Sequence, residues 1–208
     1  MYYALATNQD YMKTKVSVFV ALGPVTKISH STSAIFQFAK HFYDEIDDAL
    51  WTLGIYEILG KSWFTSTAMK LFCGKIPQLC TLLEKLTVSS NPATDDLDRF
   101  AILMDHEPNG SSAQSIMLYL QGMREDRFQV YAPDYNKVIH SKKTTDLIPL
   151  ENITEVPVAM FVGKADKLAD PEDAAWARQT IGNSVVRYQM VEGGHMTFFI
   201  AKDMDWFT

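Results

Sequence analysis

Three short apolar segments constrain the fold of this chain more than any other feature of its sequence. They are VSVFVALGP at 16–24, VPVAMFVG at 156–163 and VVRYQMV at 185–191. Each is rich in β-branched residues and has a glycine within it or within two residues of its end, a pattern that predicts a strand. An apolar run as long as the first is typical of a strand that is buried on both faces, as in a parallel sheet.

A helix is predicted between the last two strands, at 170–182. Asp170 stands at the N-cap position, Pro171 at the first helical position and Gly182 at the end. The alternation of strand, helix and strand implies a parallel crossover. The fold class predicted is therefore α/β.

The number of strands indicates only part of a domain. Three strands are too few for a complete doubly wound sheet, and the first strand has no obvious partner ahead of it, which leaves an apolar edge uncovered. We therefore expect the second half of a larger α/β domain. Its core segments are predicted at 1–28, where a short helix precedes the first strand, and at 136–208.

The intervening segment, 29–135, has a helical and aromatic pattern. Its apolar stretches, such as SAIFQFAKHFYDEIDDALWTLGIYEIL at 33–59, are rich in Phe, Trp, Leu and Met. Further helices are predicted at DDLDRFAILM, 95–104, and SSAQSIMLYLQGM, 111–123. Two interpretations of this composition are open. It suits a lid over an apolar substrate, and it equally suits an ordinary helical core. A polar loop is predicted after it, at 134–146.

Composition excludes several classes of function. There are 19 Lys and Arg against 25 Asp and Glu, a net charge of −6, whereas a nucleic-acid-binding protein needs a basic face. No stretch approaches the roughly 18 apolar residues of a membrane span. The first 15 residues lack the pattern of a signal peptide. We therefore expect no nucleic-acid partner, no transmembrane span and no signal peptide in this chain.

Cysteine and histidine usage gives no sign of a metal site or cofactor. Two cysteines are too few for a disulfide framework or a multi-cysteine zinc module. Four of the five histidines lack the spacing of metal ligands: His30, His41, His106 and His140.

The candidate chemistry lies in the turns after the last two strands. Asp166 follows the second strand, and His195 follows the third in the sequence Glu-Gly-Gly-His. Turns at the carboxyl ends of adjacent parallel strands meet at one edge of the sheet, so a carboxylate could orient an imidazole there, as in a catalytic triad. Asp170 is a competing acid, although an N-cap role explains it better. The plainer interpretation is a turn aspartate and a surface histidine.

Several segments together resemble a known family. They are VFVALGPVTKISHS, DHEPNGSSAQSIMLYLQ, FQVYAPDYN, VPVAMFVGKADKLADPED and GGHMTFFIA. In this order and spacing they resemble the acid lipases, the gastric and lysosomal group of α/β-hydrolases, over roughly the C-terminal half of a member. The resemblance implies a partial α/β-hydrolase fold with Asp166 as triad acid, His195 as triad base and 29–135 as cap and lid. It also implies a lipid ester substrate at a lipid–water interface and a secreted or lysosomal location.

The nucleophile that the resemblance requires is not found in this chain. No G-x-S-x-G occurs, and Ser111 and Ser112 in Asn-Gly-Ser-Ser fall, by the resemblance, in a substrate-side loop rather than at a nucleophile elbow. The catalytic Ser and the oxyanion donors are therefore expected in an N-terminal half outside this chain. Without that half, we expect the chain to be inactive.

Smaller departures concern supporting residues. Thr197 stands where the family has Asp, and the first of the family's three cap cysteines is replaced near Phe64. Cys73 and Cys80 match the other two, so the usual disulfide is in doubt and two free thiols are the alternative. Asn109 and Asn152 begin N-x-[ST] sequons, which are short enough to occur by chance.

Three functions follow from these observations. The first is the triad-completing part of a serine lipase acting on apolar acyl esters. The second is an inactive lipase-like binding or scaffold protein, which the missing nucleophile keeps open. The third is a hydrolase of another ester class on the same scaffold.

Overall fold

A three-stranded parallel sheet forms the centre of the molecule. The computed structural model describes residues 1–58, 60, 93–104, 110–133 and 146–207. Within them the strand order is β1-β4-β5, with both pairs parallel. The strands are β1 (Phe19–Leu22), β4 (Val158–Gly163) and β5 (Val185–Val191). The predicted α/β class, with late parallel strands and flanking helices, is confirmed.

Eight α-helices, three short 3-10 helices and a two-stranded antiparallel ladder complete the described residues. The helices are α1 (Tyr2–Thr7), α2 (Gln9–Met12), α3 (Ala34–His41), α4 (Tyr43–Thr52), α5 (Leu97–Met104), α6 (Ala113–Glu125), α7 (Pro171–Ile181) and α8 (Thr197–Ile200). The ladder pairs β2 (Glu57–Ile58) with β3 (Ser111–Ser112). Among the described residues, no helix combines the length and apolar character that a membrane span requires.

The middle strand β4 is buried along its whole length and separates two apolar layers. On one face, Val158 and Met160 pack in a cluster with Leu5 of α1 and Ala177 of α7. On the other face, Ala159 and Phe161 pack with Phe198 of α8. Burying one such large side chain contributes about 1.5–3 kcal/mol. This two-sided burial explains why β4 was recognisable as a continuous apolar run.

Strand β1 departs from the prediction in length and in burial. It pairs over only four residues of the expected 16–24, because pairing begins at Phe19, whose N–H donates to the carbonyl of Pro157. It was expected to be buried on both faces, and that prediction is wrong in this structure. The exposed fractions are 47% for Val18, 44% for Val20 and 37% for Leu22. Within the described residues β1 is an edge strand, and those side chains remain open to solvent.

The helix between the last two strands has the predicted ends. Asp170 accepts a hydrogen bond from the backbone N–H of Glu172, Pro171 is the first residue of α7, and Gly182 follows its end with a φ of 70°. The last α-helix, α8, spans only one turn, and the chain leaves helical geometry at Ala201.

Helices α3, α4 and α6 form a helical layer with its own core. Tyr43 of α4 and Met117 and Leu120 of α6 are buried together. Buried Gln121 links α6 to α4 and to the chain after α6. Its amide nitrogen donates to the hydroxyl of Tyr43, and its side-chain oxygen accepts from the N–H of Ala132. The helical pattern expected up to residue 59 is wrong at its end, where β2 pairs with β3. The boundaries 1–28, 29–135 and 136–208 remain predictions.

Candidate functional site

Three chain segments converge at the carboxyl edge of the parallel sheet. β1 leads into Gly23, β4 leads into the turn that contains Asp166, and β5 leads into the turn that contains His195. The two turns are joined by backbone hydrogen bonds, since the N–H of Ala165 donates to the carbonyl of Gly193 at 2.9 Å. The parallel register thus brings together the residues that the sequence separates by 29 positions.

Asp166 and His195 are in direct contact. Nδ1 of His195 lies 2.9 Å from Oδ2 of Asp166, whose side chain is fully buried, whereas the imidazole is 20% exposed. An ionised carboxylate only accepts hydrogen bonds, so Nδ1 is the protonated ring nitrogen in this contact. Nε2 is then the nitrogen that can take a proton from a reacting group.

The carboxylate of Asp166 is held from its other side by backbone. Its Oδ1 accepts from the N–H groups of Leu168 and Ala169, each at 2.9 Å. Two amide donors and one imidazole donor therefore fix both oxygens, and the orientation of His195 is set by a rigid partner. The competing acid, Asp170, serves as the N-cap of α7, and burial raises the pKa of its carboxyl.

Glycines permit the close approach of the two turns. A Cβ on Gly163 would lie 3.0 Å from the carbonyl oxygens of Gly193 and Gly194. Gly193 has a φ of 127°, a conformation that side chains strongly disfavour. The Gly-Gly-His sequence thus allows the chain to turn sharply before His195.

The loop after Asp166 is tied to the start of the helical layer. The carbonyl oxygen of Lys167 accepts hydrogen bonds from the hydroxyl of Ser31 at 2.7 Å and from the N–H groups of Thr32 and Ser33 at 2.9 and 3.1 Å. The segment that leads into α3 is therefore fastened next to the Asp166–His195 pair.

A second histidine–carboxylate pair lies nearby, and sequence reasoning missed it. Nδ1 of His30 is 2.8 Å from Oδ1 of buried Asp173, and Oδ2 accepts from the N–H of His30. The hydrogen bond to Asp173 raises the pKa of His30, with a further contribution from Glu172 and an opposing one from Lys27. The spacing of 143 residues gave no local signal of this contact.

The remaining sequence-predicted positions fall in different places. Ser111 and Ser112 form β3 beside α6, which corrects the expectation of a loop there. Thr197 is buried behind the His195 turn. Five other positions lie outside the described residues: Cys73, Cys80, His106, Asn109 and His140. Among the residues that are described, no group of three His, Cys, Asp or Glu side chains could hold a metal ion.

Comparison with known proteins identifies similar chains. Gastric triacylglycerol lipase of Rattus norvegicus is 25% identical over 96% of this chain and 51% of its own length. The enzyme of the same name from Bos taurus is 26% identical over 91% and 48%, and lipase member K of Mus musculus is 25% identical over 96% and 50%. This chain thus spans about half the length of these curated relatives. No family model matches it.

Among solved structures, an α/β hydrolase fold protein from Nakamurella multipartita aligns with 99% of this chain and 61% of its own, at 14% identity and a TM-score of 0.43. The sequence similarity to the lipases covers 96% of this chain for two of them, and so includes the strands and the two turns of the site. Over nearly all of its length, this chain is similar to the acid lipases of the gastric type.

Proposed function

We propose that this chain is the cap and triad-completing part of a serine lipase that hydrolyses apolar acyl esters. His195 acts as general base and then general acid, and Asp166 orients it. The observation that carries the proposal is the 2.9 Å contact between Nδ1 of His195 and the buried carboxylate of Asp166. Its placement in turns after adjacent parallel strands is the placement that triad acids and bases require.

The mechanism divides hydrolysis into two acyl transfers. Nε2 of His195 takes the proton of a Ser hydroxyl as that oxygen attacks the acyl carbonyl, and it then returns the proton to the leaving alcohol. The same ring next activates a water molecule, which releases the fatty acid. Asp166 keeps the ring in the productive tautomer and stabilises the imidazolium, which costs little reorganisation because its carboxylate is already held by two amides.

The nucleophilic Ser would come from an N-terminal half outside this chain, docked against β1. The open edge of β1 and the exposed side chains of Val18, Val20 and Leu22 support this placement, because an uncovered apolar strand needs a partner. A parallel strand paired there would end at the same edge as Gly23 and His195, and a Ser following it would lie near Nε2.

The segment 29–135 would serve as cap over the acyl site and as contact with lipid. Helix α3 and the residue after it support this role, because Ile35 and Phe38 of α3 and Phe42 just beyond it are large, apolar and exposed to solvent. The rings of Phe38 and Phe42 lie 4.7 Å apart and form one continuous apolar surface. Such surfaces on a folded protein mark contact with lipid or another partner.

The proposed substrate class and cellular location of this protein are taken from the similar proteins. Two of the similar proteins are named gastric triacylglycerol lipases, so we include triacylglycerols and related apolar esters as substrates and a secreted or lysosomal location. Asn152 is exposed in the turn Leu150–Asn152, where its sequon is accessible to glycosylation.

Hydrolysis of a triolein emulsion by the intact source protein tests this function. We expect fatty acid release from the wild type and loss of release in His195→Ala. A matched variant, His30→Ala, removes the other histidine that contacts a buried aspartate and should retain release. No release from the folded wild type would support the inactive binding protein instead. Release only from short, water-soluble esters would support the other ester class.

A further inference from the structure

A buried polar chain lies directly behind the His195 turn. Asp95 and Thr197 are both buried, and the hydroxyl of Thr197 donates to Oδ1 of Asp95 at 2.7 Å. The same hydroxyl accepts from the N–H of Gly194 at 2.8 Å. The donor and acceptor roles are thus fixed, because a carboxylate takes the hydroxyl proton and leaves the oxygen lone pairs for the amide.

The hydroxyl also fits the turn sterically. A Cβ on Gly193 would lie only 2.2 Å from Oγ1 of Thr197 and 2.6 Å from its Cγ2. The side chain of Thr197 therefore fills the space beneath the backbone that carries His195. A change at Thr197 acts on this turn both through the lost hydrogen bond and through packing.

Asp95 lies in the segment 29–135, just before α5. The segment before α5 runs antiparallel to the chain after α8, with a bridge between Asp95 and Ala201. Backbone bonds flank this bridge, from Asp96 N–H to the carbonyl of Ile200 at 2.7 Å and from Lys202 N–H to the carbonyl of Thr94 at 2.8 Å. The backbone that carries Asp95 is therefore held on both sides.

We propose that Asp95 and Thr197 are positioning residues that hold the Gly193–Gly194 turn, and with it His195, in the geometry that reaches Asp166. The inference rests on the proposed function for its catalytic consequence. A buried hydroxyl that loses its carboxylate acceptor no longer has a fixed orientation, and a buried amide that loses its acceptor carries an unmet hydrogen bond. Either loss lets the imidazole of His195 shift relative to Asp166 and to the nucleophilic Ser of the proposed function.

Two pairs of variants test the proposal in the intact source protein. Thr197→Val removes the hydroxyl at nearly constant shape, and Thr197→Ser keeps it. Asp95→Ala removes the acceptor, and Asp95→Asn keeps one oxygen. The first readout is the rate of fluorophosphonate labelling per folded molecule, measured across pH, with the folded fraction determined by near-ultraviolet circular dichroism.

We expect Thr197→Val and Asp95→Ala to slow labelling by about tenfold to a hundredfold, as a misplaced catalytic group does, and to move the acidic limb of the pH profile. Thr197→Ser and Asp95→Asn should retain most of the wild-type labelling rate. A purely structural role would lower the melting temperature and leave the rate and pH profile of the folded molecules unchanged, and that result would overturn the proposal.

Hydrogen exchange at the amide of Gly194 separates this proposal from the proposed function. A folded wild type that never labels refutes the lipase function, but exchange still reports on the turn. We expect faster exchange at Gly194 in Thr197→Val and near wild-type exchange in Thr197→Ser. Unchanged exchange in Thr197→Val would overturn the positioning role whatever the activity.

Discussion

The imidazole of His195 lies against the α-carbon of Gly23. A Cβ at position 23 would be 3.1 Å from both Nδ1 and Cε1 of the ring, and Gly23 has a φ of 57°. The residue that follows β1 therefore forms one wall of the site, beside the imidazole. This contact links the sheet edge, where an N-terminal half is proposed to dock, to the catalytic base.

Replacing Gly23 should affect both stability and the site. Gly23→Ala forces a side chain into a positive φ and against the ring, so we expect a loss of about 1 kcal/mol in unfolding free energy together with slower fluorophosphonate labelling. Gly182→Ala is the matched control, because its φ is 70° and nothing lies within 4 Å of an added Cβ. Equal labelling rates in the two variants would contradict a role for this contact.

Asn substitutions distinguish the two candidate acids. Asp166→Asn keeps the shape of the side chain but cannot stabilise an imidazolium, so we expect the labelling rate to fall by about 10³- to 10⁴-fold. Asp170→Asn, in the cap of α7, should leave the rate near that of the wild type, because Asn is also a good N-cap. A larger loss in Asp170→Asn than in Asp166→Asn would reverse the assignment.

The His30–Asp173 pair should make stability depend on pH. The pKa of His30 is raised in the folded state by its hydrogen bond to Asp173. Its contribution is therefore full below the unfolded pKa of about 6.5 and is lost as pH rises through the folded pKa. We expect His30→Gln to lower the urea midpoint more at pH 5 than at pH 8.

The control for that measurement is His41→Gln, which changes an exposed histidine of α3. Its effect on the midpoint should be small at both pH values. A His30→Gln effect that is the same at pH 5 and pH 8 would show that the protonated imidazole contributes no stability through Asp173.

A lysine on β1 tests the proposed docking of the N-terminal half. If that half covers the exposed face of β1, Val20→Lys buries an unpaired charge in the intact protein and should lower its melting temperature strongly. Val186→Lys is the control, because Val186 lies on the edge strand β5 and is 64% exposed. Similar melting temperatures for the two variants would argue against a partner at β1.

The sequence predicted the features that depend on local pattern. The strand around Met160 was recognisable because both of its faces are buried, and α7 because Asp170, Pro171 and Gly182 each have a local conformational role. The pairing of Asp166 with His195 followed from the rule that parallel strands end at one edge, and the structure brings them into contact. Their catalytic roles stay a prediction.

The features that escaped prediction depend on tertiary contacts. The contact between Asp95 and Thr197 joins residues 102 positions apart, and nothing in the segment around Asp95 distinguishes it from an ordinary helix start. Ile58 pairs with Ser111 at a place where the sequence has a helical pattern. This pairing could not be predicted, because an isolated two-residue strand has no sequence signature. The open face of β1 could not be foreseen from its apolar composition alone.

Fluorophosphonate labelling of the intact source protein tests the central claim most directly. The wild type and His30→Ala should both label. His30 is the matched control, because it also contacts an aspartate, and it should not affect labelling, because it lies outside the proposed acyl-transfer machinery. His195→Ala should label at least about 10³-fold more slowly. Labelling of His195→Ala at the wild-type rate, or no labelling of the folded wild type, would contradict the assignment of His195 as the catalytic base.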